Sequence, residues 1–175
     1  YNIDLNKPTI LFTFHPETVN YEKNKTYISE ILNALKILTH YQIIATMPNA
    51  DTMGIMIRNE LIKAKPQIKN MITVESFGSL GYLSAMKHCS FMLGNTSSGF
   101  VEASYFSKQV INLGDRQKGR IITSNIYSVP ILTDEIIRSV KSIEKAGSIR
   151  QEPIYGLGNS ASTIIKIIKE EFNLS

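Results

Sequence analysis

Short apolar runs alternate along this chain with longer segments in which apolar residues recur at helical spacing. The runs are rich in β-branched residues, which is typical of buried parallel strands; they lie at 9–14, 43–47, 71–74, 91–93 and 109–113, and 125–129 has the pattern of a sixth. The helical pattern occupies 25–40, 52–64, 76–89, 100–106, a segment capped by Thr133, and 161–172. Alternation in short units predicts an α/β fold with a Rossmann-like, doubly wound parallel sheet.

Composition limits the classes of protein. A length of 175 residues with 43% hydrophobic residues predicts one domain, spanning 1–175, with one core. The net charge of +4 is modest and its basic residues are scattered, which argues against nucleic-acid binding. No apolar run is long enough to cross a membrane, and the single Cys89 is expected to be a buried thiol. The start lacks a signal peptide and an initiator methionine, so we expect a domain boundary in a cytoplasmic protein.

A small polar segment links the fourth predicted strand to a helix. Here Thr96, Ser97 and Ser98 lie between two glycines, and backbone N–H groups at a helix start suit a phosphate. An ordinary helix cap is the alternative, but no capping box is present because Gly99 stands three residues before Glu102. The hydroxyls are therefore expected to face a ligand, with Glu102 one turn on and able to accept from ribose hydroxyls.

A basic cluster follows the fifth strand. Arg116, Lys118 and Arg120 come directly after Gly114, at what the fold makes the carboxyl edge of the sheet. Ligands bind at this edge in open parallel sheets. The cluster is either a solvated loop or, beside the serine-rich turn, a clamp for a diphosphate.

The first strand ends at His15, which Pro16 restricts to an extended backbone. His15 therefore lies at the same edge, either as a structural residue or as a ligand contact. Glu17 is expected to be solvated. Asn49 and Asp51 follow the second strand, where they either cap the next helix or approach the ligand.

The loop after the third strand contains two glycines, one of them Gly81, which allow a close backbone approach. Phe77 and Tyr82 lie in the same segment, and an aromatic ring there can either stack on a base or pack into the core.

Four segments together resemble the hydrolysing UDP-N-acetylglucosamine 2-epimerases of sialic acid and related nonulosonate synthesis. They are Thr-Phe-His-Pro-Glu-Thr at 13–18, Gly-Asn-Thr-Ser-Ser-Gly at 94–99 with Glu102, Ile-Asn-Leu-Gly-Asp-Arg-Gln-Lys-Gly-Arg at 111–120, and Tyr-Gly-Leu-Gly-Asn-Ser-Ala at 155–161. The resemblance spans nearly the whole chain but only the carboxy-terminal half of a two-domain, glycosyltransferase-B-like enzyme.

The resemblance assigns roles to the candidate residues. It implies that Thr96, Ser97, Ser98 and Arg116 bind the diphosphate, that Glu102 binds ribose, and that His15 contributes to catalysis beside the pyrophosphate. It also implies that the loop with Phe77, Gly81 and Tyr82 surrounds uracil and that Asn49 approaches the ligand.

The resemblance further implies that the full-length enzyme eliminates UDP to a glycal and adds water, releasing an N-acetylmannosamine-type sugar. It implies no cofactor and no metal, and the sequence shows no acid and histidine cluster with ligand spacing. The expected partners are the UDP-sugar and an amino-terminal domain that carries the catalytic carboxylates, in a homo-oligomer; this fragment alone is expected to be inactive.

Two other functions fit the same residues. A glycosyltransferase of the same fold would transfer sugar to an acceptor, but its usual second glutamate is absent because the eighth residue after Glu102 is Val110. A non-catalytic nucleotide-sugar-binding module is the second alternative, since fold alone does not fix function.

Overall fold

A computed structural model describes residues 1–18, 21–50, 52–147, 149, 154–156 and 158–172. Six strands form one parallel sheet: β1 (Thr9–Thr13), β2 (Gln42–Thr46), β3 (Met71–Val74), β4 (Phe91–Gly94), β5 (Val110–Leu113) and β6 (Ile126–Val129). Their order is β3-β2-β1-β4-β5-β6, and every neighbouring pair is parallel. This is the order of a doubly wound Rossmann sheet, so the predicted fold class is confirmed.

The helices are α1 (Asn24–Ile37), α2 (Thr52–Ala64), α3 (Gly78–His88), α4 (Glu102–Tyr105), α5 (Thr133–Ala146) and α6 (Ser160–Glu171). Short 3₁₀ turns at Tyr21–Lys23, Lys65–Gln67 and Ser97–Gly99 connect them to their neighbours. The predicted boundaries agree with these to within a few residues. In the predicted segment 100–106 the helix is a single turn, α4, which follows the 3₁₀ turn at Ser97–Gly99.

Both faces of the sheet are covered. Ile10 and Phe12 of β1 belong to a core that includes side chains of α1, α2 and α5, whereas Leu11 belongs to a second core that includes α3 and α4. Alternate side chains of a strand point to opposite faces, and both faces of this strand are apolar because both are buried.

Two local predictions are wrong. Thr133 does not cap α5, whose N-cap is Leu132; the Thr133 hydroxyl instead hydrogen-bonds to the Glu30 carboxylate at 2.6 Å and ties α5 to α1. Glu17 is not solvated but buried. Its backbone is held by Asn24, which accepts from the Glu17 N–H at 2.8 Å and donates to its carbonyl at 2.9 Å.

Candidate nucleotide site

The candidate site lies at the carboxyl ends of β1 and β4. These two strands are neighbours, but the chain leaves β1 toward β2 and leaves β4 toward β5, on the other side. The loops therefore diverge and leave a crevice between them, which is where open α/β sheets bind ligands. His15 follows β1 and the serine-rich turn follows β4, as the sequence predicts.

Gly94 makes this close approach possible. Its φ is +143°, and a Cβ added to it would overlap the carbonyl oxygen of Thr13. The backbone N–H of Asn95 donates to that same carbonyl at 3.1 Å. A side chain at position 94 would therefore separate the two strands at the point where their loops diverge.

The three hydroxyls of the serine-rich turn have different environments. Thr96 is the N-cap of the 3₁₀ turn, since its Oγ1 accepts from the Ser98 N–H. Ser98 is buried, and its Oγ lies 2.7 Å from the Tyr82 hydroxyl and 3.2 Å from Thr96 Oγ1. Ser97 is exposed, and within the described part of the chain its hydroxyl has no hydrogen-bond partner. Of the three hydroxyls expected to face a ligand, only that of Ser97 belongs to an exposed residue.

Glu102 begins α4 and is half-exposed. The sequence predicted that the start of a helix favours a phosphate here. Because α4 contains only four residues, its dipole adds little positive charge to the site. The Tyr105 hydroxyl donates to the carbonyl of Gly156 at 2.8 Å, which attaches the segment before α6 to α4.

The basic segment after β5 folds back toward His15. Gly114 has a φ of +71°, and an added Cβ would lie 2.7 Å from Glu17 Oε1. The backbone N–H of Arg116 donates to that oxygen at 3.1 Å, while the Arg116 side chain donates through Nη1 to the carbonyl of Asn95 at 3.1 Å. The side chain of Arg116 is nevertheless exposed and remains accessible to a ligand.

One cavity brings three of the predicted residues together. It has a volume of about 390 Å³, and its walls include His15, Asn49 and Arg116, with Tyr21 and Met53. Asn49, which follows β2, is exposed at this cavity. Asp51, the second candidate at that strand end, lies outside the described residues.

The predicted uracil loop lies on the other side of the serine-rich turn. Tyr82 contacts that turn, and burial raises the pKa of its hydroxyl, although hydrogen bonds to Ser98, Thr13 and Thr96 partly oppose this shift. Phe77 makes an edge-to-face contact with Tyr1 at 5.1 Å. Phe77 and Gly81 line a second, largely apolar cavity with Cys89. His15 is not among the residues that line this cavity. Burial raises the pKa of the Cys89 thiol to about 12, in agreement with the predicted inert cysteine.

Sequence reasoning gave no role to two buried polar residues of this site, Asn95 and Glu17. Asn95 is fully buried and hydrogen-bonds to the backbone of His15, while Glu17 receives the Arg116 N–H. Burial is the largest influence on the Glu17 carboxyl and raises its pKa, against the effect of hydrogen bonds from Arg116 and Asn95. Position in the motifs was the available signal, since Asn95 directly follows β4 and Glu17 lies in the loop that follows β1.

Two kinds of feature are absent from the part of the chain that the structure describes. No group of three or more histidine, cysteine, aspartate or glutamate side chains in that part of the chain is arranged to hold a metal ion. Among the same residues, no helix combines the length and the apolar character that a membrane span requires.

The fold has a counterpart among solved structures. Escherichia coli ADP-heptose heptosyltransferase II is similar to it with a TM-score of 0.60 and 12% identity, covering 83% of this chain and 50% of that one. The fold is therefore the Rossmann-like half of a glycosyltransferase-B architecture. A sequence profile described as UDP-N-acetylglucosamine 2-epimerase matches residues 1–169, and the chain belongs to that family.

Two further relatives agree with this assignment. A Campylobacter jejuni protein, GDP/UDP-N,N'-diacetylbacillosamine 2-epimerase (hydrolyzing), is 41% identical over 130 residues, which are 73% of this chain and 33% of that protein. The Methanocaldococcus jannaschii UDP-GlcNAc 2-epimerase, solved with UDP-GlcNAc and UDP, has a TM-score of 0.76 and 19% identity, covering 95% of this chain and 47% of that one. The chain thus spans less than half the length of either, and the resemblance to hydrolysing 2-epimerases is confirmed.

Proposed function

We propose that this chain is the UDP-binding half of a hydrolysing 2-epimerase acting on UDP-N-acetylglucosamine or a close derivative. The observation that carries the proposal is the convergence of His15, Asn49 and Arg116, which follow β1, β2 and β5, on one cavity at the carboxyl edge of the sheet. Family membership supports it, since His15 and Arg116 belong to segments that resemble the epimerases.

In this proposal each part of the nucleotide meets a different segment. The diphosphate lies between the Thr96–Ser97 backbone with the exposed Ser97 hydroxyl and the Arg116 guanidinium. A planar guanidinium with several N–H donors suits phosphate oxygens. Glu102 accepts from the ribose hydroxyls, and the loop with Phe77, Gly81 and Tyr82 surrounds uracil. Ser98 acts indirectly, because its hydroxyl is occupied by Tyr82.

The chemistry proposed for the full-length protein is elimination of UDP followed by hydration. Breaking the anomeric bond moves negative charge onto the departing diphosphate, and donors already fixed around it stabilise this charge without reorganising. Arg116 and the Ser97 hydroxyl supply such donors, and His15 lies at the same cavity. Water then adds to the glycal, and an N-acetylmannosamine-type sugar is released for nonulosonate or surface polysaccharide synthesis.

We propose further that residues 1–175 form the carboxy-terminal domain and that α6 packs on the rest of the protein. None of the residues of α6 is buried in this chain, although Ile164, Ile165, Ile167 and Ile168 are all apolar and about half-exposed. A helix with this much uncovered apolar surface is expected to have a partner. The proposed partner is an amino-terminal domain with the catalytic carboxylates; this chain spans less than half of either relative, which leaves length for such a domain.

Calorimetric titration of the chain and of the full-length protein with UDP tests the site. Arg116→Ala is expected to weaken UDP binding by about tenfold or more, because it removes charge-assisted hydrogen bonds. Glu102→Ala is expected to have a smaller effect of the same sign. Arg138→Ala is the matched control, since Arg138 is an exposed arginine on α5 that pairs only with Glu135 among the described residues.

The full-length protein is then assayed for released UDP and free epimerised sugar. Acceptor-dependent sugar transfer would indicate a glycosyltransferase, and nucleotide binding without turnover would indicate a binding module. Absence of UDP binding by the full-length protein would exclude the proposed function.

A further inference from the structure

The side chain of Asn95 continues the pairing of β1 with β4 beyond the end of the sheet. The backbone pairing ends at Thr13 and Gly94. One residue further, Asn95 Oδ1 accepts from the His15 N–H at 2.7 Å and Nδ2 donates to the His15 carbonyl at 2.8 Å. A primary amide has the donor and the acceptor of a peptide group, so it can replace a strand partner after the backbone has turned away.

The backbone carbonyl of Asn95 holds the basic segment on the opposite side. It accepts from Arg116 Nη1 at 3.1 Å and from Gln117 Nε2 at 2.8 Å. Gln117 is buried, so its amide adds a second, shielded bond to the one from the exposed arginine. Both lone pairs of the carbonyl are thus engaged by the segment that carries the candidate diphosphate cation.

A third connection passes through Glu17. The Asn95 side chain lies close enough to the Glu17 carboxyl to lower its pKa, and Oε1 of that carboxylate accepts the backbone N–H of Arg116 at 3.1 Å. Asn95 itself is fully buried and its backbone N–H is fixed to Thr13. One residue therefore contacts the segment of His15, the segment of Arg116 and the strand that supports both.

We propose that Asn95 is the positioning residue that fixes His15 and Arg116 relative to each other across the nucleotide crevice. The catalytic importance of this role rests on the proposed function, whereas the fixing of the two segments by Asn95 does not. Only a primary amide both accepts from the His15 N–H and donates to the His15 carbonyl. Aspartate has the same shape but cannot donate to the His15 carbonyl, and it places a second carboxylate beside Glu17.

Asn95→Asp in the full-length protein is the test, with Asn125→Asp as the matched control. Asn125 is also fully buried, and its Nδ2 also donates to a backbone carbonyl, that of Lys108, at 2.9 Å. It directly precedes β6 and so lies at the opposite, amino-terminal edge of the sheet. A general cost of placing a buried aspartate appears in both variants, whereas loss of positioning appears only at Asn95.

Two measurements are made on each variant. Hydrogen exchange of peptides covering 113–118 needs no nucleotide, and we expect exchange in this segment to accelerate about tenfold or more in Asn95→Asp but not in Asn125→Asp. In UDP titrations, the effects of His15→Ala and Arg116→Ala are expected to be non-additive in the parent and to become additive in the Asn95→Asp background. A merely structural asparagine would leave this coupling unchanged.

The outcomes separate the two proposals. Equal exchange at 113–118 in Asn95→Asp and in the parent overturns the positioning role, whether or not UDP binds. Accelerated exchange with no UDP binding by the parent overturns the proposed function and leaves the positioning role standing. If Asn95→Asp does not fold, Asn95→Ser removes both His15 bonds without adding a charge, and the criterion is then exchange at 14–17: acceleration supports the positioning role and exchange equal to the parent overturns it.

Discussion

The crevice edge and α6 differ in whether this chain supplies partners for their polar groups and cover for their apolar side chains. At the crevice, buried polar groups of Asn95, Glu17 and Gln117 are paired with one another and with backbone. In α6 four isoleucines are about half-exposed and no residue is buried. The first region is complete within the chain, whereas the second has apolar surface for which the described residues offer no cover.

The two regions differ in whether they need a partner outside this chain. Buried polar groups are costly unless they are paired, so a finished network such as that of the crevice holds its geometry without further partners. Exposed apolar surface indicates that a partner is needed, because such surface stabilises the protein only when it is covered. Nucleotide binding is expected of the chain, and turnover is expected only of the full-length protein.

The largest expected effect comes from breaking the crevice edge at Gly94. Gly94→Ala forces a Cβ into the Thr13 carbonyl at a φ of +143°, and we expect it to lower the free energy of unfolding by more than about 3 kcal/mol. Gly119→Ala is the control, since Gly119 also has a positive φ, of +92°, but open space around its Cβ position. It is expected to cost about 1 kcal/mol. Urea unfolding of both variants measures this, and equal losses would show that the strand approach is not constrained.

His15 is the next position, because it lies in the cavity and not in the core. In the full-length protein, His15→Ala is expected to lower kcat by about 100-fold or more, in the range of a lost general acid or base. The control is His40→Ala, whose ring lies far away on the surface and pairs with Glu144 at 3.2 Å. Rates of UDP release measure both. A His15→Ala enzyme with parental kcat and weakened UDP binding would assign His15 to binding alone.

The final helix is tested by comparing the chain with the full-length protein. Ile168→Ala in residues 1–175 is expected to change the free energy of unfolding by less than about 0.5 kcal/mol, because Ile168 is 46% exposed. In the full-length protein the same change is expected to cost about 2 kcal/mol if the helix is covered. Ile136→Ala, in the core under α5, is expected to cost about 3 kcal/mol in both. A small effect of Ile168→Ala in both proteins would contradict the docking of α6.

The smallest expected effect concerns the charge of Glu17. Burial raises its pKa above the usual 4.5, so the folded state holds a proton more tightly than the unfolded state. The parent therefore loses stability as the pH rises from about 4.5 through the folded pKa, and Glu17→Gln lacks this loss. The stability of Glu17→Gln relative to the parent is expected to increase between pH 4 and pH 7, measured by urea unfolding.

Glu30→Gln is the control of opposite sign. Hydrogen bonds from Thr133 lower the pKa of Glu30, so its contribution is present above the unfolded pKa and is lost as the pH falls through the folded pKa. The stability of Glu30→Gln relative to the parent is therefore expected to decrease as the pH rises. The same sign in both variants would contradict the buried position of the Glu17 carboxyl.

Local pattern was sufficient for the sheet and for most of the site. Continuous apolar runs such as Ile10 to Phe12 fix buried parallel strands because both faces need cover, and parallel strands bring their carboxyl ends to one edge. The placement of His15, Ser97 and Arg116 at that edge follows from this rule, and the motifs around them indicate the epimerase family.

Tertiary structure alone decided how the polar side chains are used. The sequence predicted that Thr133 caps a helix and that the Ser98 hydroxyl faces a ligand, but contacts with Glu30, 103 residues away, and with Tyr82, 16 residues away, engage their hydroxyls. Asn95 and Glu17 looked ordinary, and burial made them the links between segments far apart in the chain. Hydrogen-bond partners at long sequence separation leave no periodic trace in the sequence, whereas hydrophobic burial does; the sequence therefore determined where the site lies, and packing determined which residues hold it together.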